Sequence, residues 1–527
     1  MTRLSDNKLA TLLGVALFVL VGWPLFVVPY LPYEDLGGHL ATITILRHPA
    51  EYPEFVPTGV LKTNAAIYAF GVATKGLLSE ERAMRVFCIF TLFANSMVLP
   101  HFVLRMRSRA AMLTAVPFFP PFAHHWFFSM GMMNFALALP MTLVLIVLLR
   151  DQERAPTGKR ALGIVALTSV CWFCHSFPLL EILLLTGLRV LTASSMQARI
   201  ARFRALVPPL VPVTGLVFCT MASHMLVKSQ PMGSPHDDSY SSVPWLLYDV
   251  WAHYLYVFSE VTATSLVLGV VLMLLALRQA KSDLGLLSWP GWVLLAVLYA
   301  FTPSVAFDWA FLGTRFLPYI WFAALLRVPE QLPRWAFRGA AALGALFVVG
   351  LNIDVVKASQ DHAEIVSGVD AVPRGAKLLP LMFRTRKWSK NTWSLDSTSG
   401  YYVYLKHTSA FDVWATNNSM PIVRARLPHP RFDRCVLRRF LLTDTVASFC
   451  GDEKRRGLPN SKETCTANYN AAWAELWGDV NTEYTHVLMF APPEDVLRNV
   501  PASFRETFRK GDLRIFERAA VPAVAAP

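Results

Sequence analysis

The chain has 527 residues, of which 54% are hydrophobic and only 16% charged, with a mean hydropathy of +0.40. That balance excludes an ordinary soluble domain and points to a membrane protein. The net charge of +13 gathers beside apolar runs, so it reads as membrane anchoring and orientation, and no nucleic-acid partner is expected.

Apolar runs long enough to cross a hydrocarbon core of about 30 Å as helices recur over the first two thirds of the chain. Spans are expected at roughly residues 8–29, 83–105, 110–127, 131–149, 161–177, 178–191, 206–227, 262–278, 286–304, 313–327 and 338–356, about eleven in all. The first run is too long and too aromatic for a cleaved signal peptide and lacks a small-residue cleavage site, so it is expected to remain as a helix. Basic loops should lie in the cytoplasm. RMRSR (105–109), RDQERAPTGKR (150–160), the segment with Arg189, Arg199, Arg202 and Arg204, RQAKSD (278–283) and RVPEQLPRWAFR (327–338) all fall on one side of the eleven-span topology. The N-terminus is therefore expected to be cytoplasmic and the C-terminal part external. The expected organisation is a transmembrane bundle over 1–357, with a first external loop at 30–82, and a small external α/β domain over 358–527. In that domain YYVYL (401–405) and HVLMF (486–490) read as strands.

The first external loop begins with LPYEDLGGHL (31–40), which sets Glu34, Asp35 and His39 beside the end of an apolar run. Pro32 permits a helix to begin there, and ATITILRH continues it; NAAIYAFGVATKGLL (64–78) is a second short helical stretch. Both are too short to cross a bilayer and read as helices lying along the interface. A helix starting near Asp35 puts Asp35 and His39 one turn apart on one face. Asp35 can be a helix N-cap. It can equally be a carboxylate at the outer membrane boundary, acting as general base or holding a divalent cation with His39 or Glu34 as helper.

Further along, His124 and His125 in AHHWFF, and His175, gather at expected outer ends of spans, either as packed histidines or against a substrate. Cys171-Trp-Phe-Cys174-His175 fits the C-x-x-C-H pattern of c-type haem attachment. It is embedded in an apolar helix with no second axial ligand evident, so haem is not expected. In the loop at 228–260, His236, Asp237 and Asp238 read as metal ligands or as a solvated cluster, and the aromatic run at 245–256 as an interfacial belt or a sugar platform. Arg315 in GTRFLPY is a cation for a phosphate, a snorkelling anchor, or a partner of Asp308. Of Cys435, Cys450 and Cys465, one pair can bridge; Cys450 with Cys465 closes an easily looped segment, the alternative being three free thiols. No P-loop, dinucleotide fingerprint, H-E-x-x-H or G-x-S-x-G is present, which leaves ATP-driven transport, Rossmann, zincin and α/β-hydrolase chemistry without local support. The sequon Asn417-Asn418-Ser419 would matter only in a eukaryotic secretory setting.

The layout resembles membrane glycosyltransferases of the GT-C superfamily: a first span, an acidic residue early in a long first external loop with two short helices, a multi-span bundle and a small external C-terminal domain. YEDLGGHLATITIL, FFSMGMMNFALALP (127–140), CHSFP (174–178), GTRFLPY (313–319) and the tail THVLMFAPPEDV with GDLRIFER are similar to stretches of bacterial members of that type. The resemblance implies an inverting glycosyltransferase in a bacterial cytoplasmic membrane, using a sugar on a polyprenyl phosphate. Its first-loop acid activates the acceptor or holds a metal, and the matching residue is Asp35, with Glu34 next to it. Arg315, His175, His125, His39 and Glu34 would line the substrate. No D-x-D triplet stands at the site, so a divalent cation such as Mg or Mn at Asp35 and Glu34 stays open. A protein of another class, a non-catalytic glycolipid carrier or an envelope-assembly protein, would show the same intramembrane polar residues.

Overall fold

The computed structural model describes residues 4–226, 243–279, 283–306, 309–411, 413, 420–425, 430–432, 434–455 and 461–519. His236, Asp237, Asp238, Asp308 and the sequon at 417–419 lie outside the described residues.

Helix follows helix through the first two thirds. α1 (Asp6–Gly22) precedes two short helices, α2 (Leu36–Arg47) and α3 (Ala66–Ala73), and then comes α4 (Glu80–Met106), which lies against α1. Among the described residues, four apolar stretches are long enough to cross a membrane: Glu80–Met106, Met133–Arg154, Met196–Ser223 and Arg334–Ala371. Polar residues fix their starts. The Ser79 hydroxyl accepts from Arg82 N–H at the head of α4, and Thr157 and Ser195 cap the later helices at Gly158 and Met196 in the same way. Large apolar side chains such as Leu12, Phe90, Leu162 and Phe218 face outward, as the outer surface of a bundle in lipid requires.

Each expected span falls mainly on helix, but several are not single helices. In place of one span at 110–127 the chain forms α5 (Arg109–Ala115), a 3-10 turn, α6 (Phe119–Ala123) and α7 (Trp126–Ser129). Pro117, Pro120 and Pro121 each remove a donor and break the ladder. At 313–327 a 3-10 turn at Gly313–Phe316 leads into a nine-residue helix, Leu317–Leu325, buried at every position. Between these stand α8 (Met133–Arg154), α9 (Gly158–Cys174), α10 (Phe177–Leu191), α11 (Met196–Leu206), α12 (Val211–Leu226), α13 (Val243–Ala252), α14 (Thr264–Arg278) and α15 (Trp289–Phe301); the buried helix is α16.

Of the two short first-loop helices, α3 buries Ala66, Ile67, Tyr68 and Gly71 and leaves its end exposed, whereas α2 is enclosed by protein. Every residue of α2 from Leu36 to Ile45 is buried, packed between α3, α4 and the C-terminal part of the chain. A helix that is apolar all round belongs inside a core.

α17 (Arg334–Val366) has 33 residues and is about 50 Å long, more than the about 30 Å hydrocarbon core. It runs without a break past residue 357 and carries the C-terminal part at its end. There β1 (Leu378–Met382), β2 (His486–Phe490), β3 (Phe504–Lys510) and β4 (Leu513–Arg518) form a sheet of order β1-β2-β4-β3, with β1 and β2 parallel and the rest antiparallel. HVLMF is β2, buried on both faces. YYVYL is not a strand but helix α18 (Gly400–Lys406), which lies against α2, with Val403 packed on Ala41 and Ile45 and Tyr402 packed on Ile365 and the sheet. Tertiary packing outweighs the β propensity of those residues. α19 (Val446–Arg455) and α20 (Lys462–Glu483) are joined by a disulfide between Cys450 and Cys465, with Cα atoms 5.7 Å apart. Trp473 and Trp477 of α20 cover one face of the sheet.

Candidate functional site

The LPYEDLGGHL stretch is gripped from two sides. Backbone amides of Glu34 and Asp35 donate to the carbonyls of Ser129 and Met130, so the SMG turn of FFSMGMMNF holds them. Gly131 has φ +79°, and a Cβ there would crowd Asp35 N. From the other side comes residues 386–400. Trp393 N–H donates to Glu34 Oε2 at 2.9 Å and the Ser397 hydroxyl donates to Glu34 O. A Cβ on Gly37 would fall on Ser397 O, and one on Gly400 would fall on Gly37 O, so α2 and α18 cross backbone against backbone.

Residues 386–400 thus form a polar cover on the bundle. Asn391 Nδ2 donates to the carbonyls of Ala252 and Tyr256, Lys390 N–H donates to Phe258 O, and Trp126 Nε1 donates to Asn391 O. Asp354, fully buried on α17, accepts from Ser259 Oγ at 2.6 Å, Thr262 Oγ1 at 3.0 Å and Trp388 Nε1 at 2.7 Å. That carboxylate ties the cover to the bundle.

Asp35 stands at the N-cap of α2 but makes no capping hydrogen bond with its side chain. It is half-buried, and its charge acts on two groups. Burial first, and the Asp35 charge second, push the Tyr68 phenol above its ordinary value. The Arg315 guanidinium feels the carboxylates of Glu181 and of Asp35, Glu181 the more strongly. Asp35 thus lies within electrostatic reach of Arg315, and His175 lies 3.1 Å from it.

Around Arg315 the donors crowd. Its Nη1 lies 3.1 Å from His175 Nε2, and Phe177 N–H, in the first turn of α10, donates to His175 Nδ1 at 3.1 Å. A neutral imidazole has one acceptor nitrogen, so only one of those two contacts can be a hydrogen bond to it. Arg315 Nη2 donates to Ala310 O, and its guanidinium lies 5.2 Å from the Phe135 ring centre and 5.9 Å from that of Phe177. Glu181, on the second turn of α10, is fully buried, and neither carboxylate oxygen has a hydrogen-bond partner among the described residues. The sequence reading missed it. A lone acid inside the apolar run FPLLEILLL was the available signal.

The other expected residues are engaged elsewhere. His39 Nε2 pairs with Gly131 O at 3.1 Å and its Nδ1 with the Tyr68 hydroxyl at 2.7 Å, which makes Nε2 the donor and Nδ1 the acceptor. Burial lowers its pKa to about 4, so the ring is neutral and both nitrogens are in use. His125 accepts from Phe128 N–H as the N-cap of α7 and stacks on Tyr254 at 5.3 Å. Cys171 and Cys174 are buried against α8, near Ala138 O and Met141 Sδ. As for a divalent cation, no group of three His, Cys, Asp or Glu side chains converges among the described residues, and Glu34 Oε2 is turned to Trp393. Asp35 and Glu34 are two neighbouring carboxylates, fewer than a closed protein cage for a divalent cation would need.

Apolar membrane-length helices around a buried arginine and two carboxylates, closed by a polar cover, define a multi-pass membrane protein with an ion-lined site. No protein-family model and no curated protein matches the chain. Among solved structures it is similar to ArnT from Cupriavidus metallidurans bound to undecaprenyl phosphate, with a TM-score of 0.49 and 12% identity over 99% of this chain and 100% of that one. It is also similar to arabinofuranosyltransferase AftD from Mycobacteria, with a TM-score of 0.48 and 12% identity, and there it spans 42% of the other chain. These are likenesses of overall arrangement. The roles of individual residues rest on the geometry above.

Proposed function

We propose that this protein is a GT-C-type membrane glycosyltransferase that moves a sugar from a polyprenyl phosphate to an acceptor at the external face of a bacterial cytoplasmic membrane. The observation that carries the reading is that Asp35, at the head of α2, lies within electrostatic reach of the buried Arg315. Arg315 is a buried cation, and Arg suits a phosphate geometrically. The N-terminus of α10 adds a favourable field for negative charge.

In the reaction Asp35 accepts the proton of an acceptor hydroxyl while that oxygen attacks the anomeric carbon. The bond from that carbon to the phosphate oxygen breaks, its electron pair leaves with the lipid phosphate, and Arg315 meets the charge that develops there. A single displacement at one carbon inverts its configuration. The products are the glycosylated acceptor, the lipid phosphate and a protonated Asp35. In this reading the N-terminus is cytoplasmic, and the C-terminal domain is periplasmic and covers the site.

The test is incubation of purified wild type and Asp35→Asn with a panel of undecaprenyl-phosphate sugars, following release of the lipid phosphate by mass spectrometry. Wild type should release it, and Asp35→Asn should fall by about 10²-fold or more. Full transfer by Asp35→Asn would sink the general-base role. Glu181 favours a second reading, because a buried intramembrane carboxylate also marks a transport path. No release by wild type, together with movement of labelled glycolipid across vesicles, would make the protein a carrier.

A further inference from the structure

Away from the bundle, the sheet of the C-terminal part has an open cleft of about 760 Å³ at one end. Strand register builds it. Leu378 pairs with His486 and His486 with Glu517, which brings the start of β1, the start of β2 and the end of β4 to the same edge. Thr485 is the hub: its carbonyl accepts from Arg518 N–H, and its hydroxyl accepts from Lys377 N–H at 3.1 Å. Lys377 and Arg518 therefore flank one residue. Ser503, whose carbonyl accepts from Ala519 N–H, and Asn481 complete that wall.

The lining carries Arg374, Lys377 and Arg518 against a single acid, Glu517. Arg374 is neutralised by Glu51 at 2.9 Å, and Glu517 is drawn toward Arg505 at 3.9 Å. Lys377 and Arg518 have no carboxylate partner among the described residues; Arg518 Nη1 donates to Asn481 O. A second observation comes from His486, which is 3% exposed. The Thr485 hydroxyl is 3.0 Å from His486 Nδ1, and its one hydrogen is better directed there than at Lys377 O, 3.3 Å away. Nδ1 then accepts and Nε2 carries the hydrogen, yet Nε2 has no partner among the described residues. Burial lowers the pKa of His486, consistent with a neutral ring offering one N–H.

Two uncompensated cations, Lys377 and Arg518, with the Ser503 hydroxyl and His486 in the lining of a cleft of ligand size, are what an oxyanion requires. We propose that this cleft is a second binding site, independent of Arg315, for a phosphate or carboxylate group carried by a small molecule, a saccharide or a lipid headgroup. It does not depend on the glycosyltransferase reading, since Asp35 and Arg315 are no part of it.

The experiment is isothermal titration of the full chain in detergent with inorganic phosphate and, separately, glucuronate. Wild type, Arg315→Gln, the double variant Lys377→Gln/Arg518→Gln and Glu517→Gln are compared, with the unfolding midpoint recorded for each. Saturable binding of at least one probe is expected, retained in Arg315→Gln, weakened about tenfold or more in the double variant, and unchanged or tighter in Glu517→Gln, which removes the one acid. Phosphate alone would assign a phosphorylated ligand, glucuronate alone an acidic sugar. Displacement of phosphate by phosphatidylglycerol nanodiscs, but not by phosphatidylcholine ones, would assign a headgroup. The proposal is overturned by no saturable binding of either probe, by equal binding in the double variant, or by Glu517→Gln weakening binding as much as that double variant. Loss of transfer in Asp35→Asn with phosphate binding intact would separate this site from the reaction in the bundle.

Discussion

Trp388→Phe removes one hydrogen bond and the pyrrole part of the indole, while an aromatic ring stays in place. The bond is Nε1–H to Asp354 Oδ1 at 2.7 Å, and it is the indole's tie between the cover and α17. Asp354 keeps Ser259 and Thr262 as donors, so the variant does not strand a buried charge. A hydrogen bond to a charged acceptor contributes about 1.5–3 kcal/mol when buried; this one is only part-buried, so about 1–2 kcal/mol is expected. If the cover opens locally, its opening equilibrium shifts by the same amount, roughly 5- to 30-fold. Hydrogen exchange followed by mass spectrometry should show faster exchange over residues 386–400, with the amides of α4 and α8 unchanged. A change of less than about twofold over 386–400 would refute the claim that Asp354 holds the cover. So would the same acceleration throughout the bundle, since that would mean global destabilisation.

Gly37→Ala should cost at least about 2 kcal/mol, because its methyl would land on Ser397 O where neither backbone can yield; a thermal midpoint equal to wild type would remove the crossing of α2 and α18 from the account. His39 gives a signed pH dependence. Its folded pKa of about 4 lies below the ordinary 6.5, so the unfolded chain binds a proton first as pH falls, and stability present above pH 6.5 is lost progressively down to about pH 4. From pH 6.5 to 5 its contribution is at most roughly 2 kcal/mol, and His39→Gln should flatten the stability–pH curve by that amount relative to wild type. Replacing Cys450 and Cys465 together by Ser opens a link across a sequence separation of 15, worth about 3 kcal/mol in chain-entropy terms. Proteolysis should then begin at α19 and α20 while the bundle stays intact; unchanged protease resistance would count against a structural role for the bridge.

Much of the molecule was legible in one dimension because the relevant signals are local. Long apolar runs gave helices, since a membrane offers no partner for an unpaired amide. HVLMF reads as a strand and forms one, although it is buried on both faces. Cys450 and Cys465 were paired correctly on loop length. Misreadings fell where burial on several sides replaced a two-sided pattern. The α2 sequence ATITIL looked like an interfacial helix, yet protein covers it on all faces. YYVYL alternates like a strand, but it forms a helix that packs Val403 on α2 and Tyr402 on the end of α17.

The sequence by itself determined that the chain belongs in a membrane, that an acid and a glycine pair follow its first apolar run, and that Arg315 stands in an apolar setting where a charge must have a reason. Only the tertiary structure decided which charges meet. Asp35, Glu181 and Arg315 lie on three separate segments, and nothing in their spacing says that two carboxylates act on one guanidinium. It also decided why Gly37 is glycine. The reason is Gly400, more than 350 residues away, whose backbone can cross there only if neither residue has a side chain.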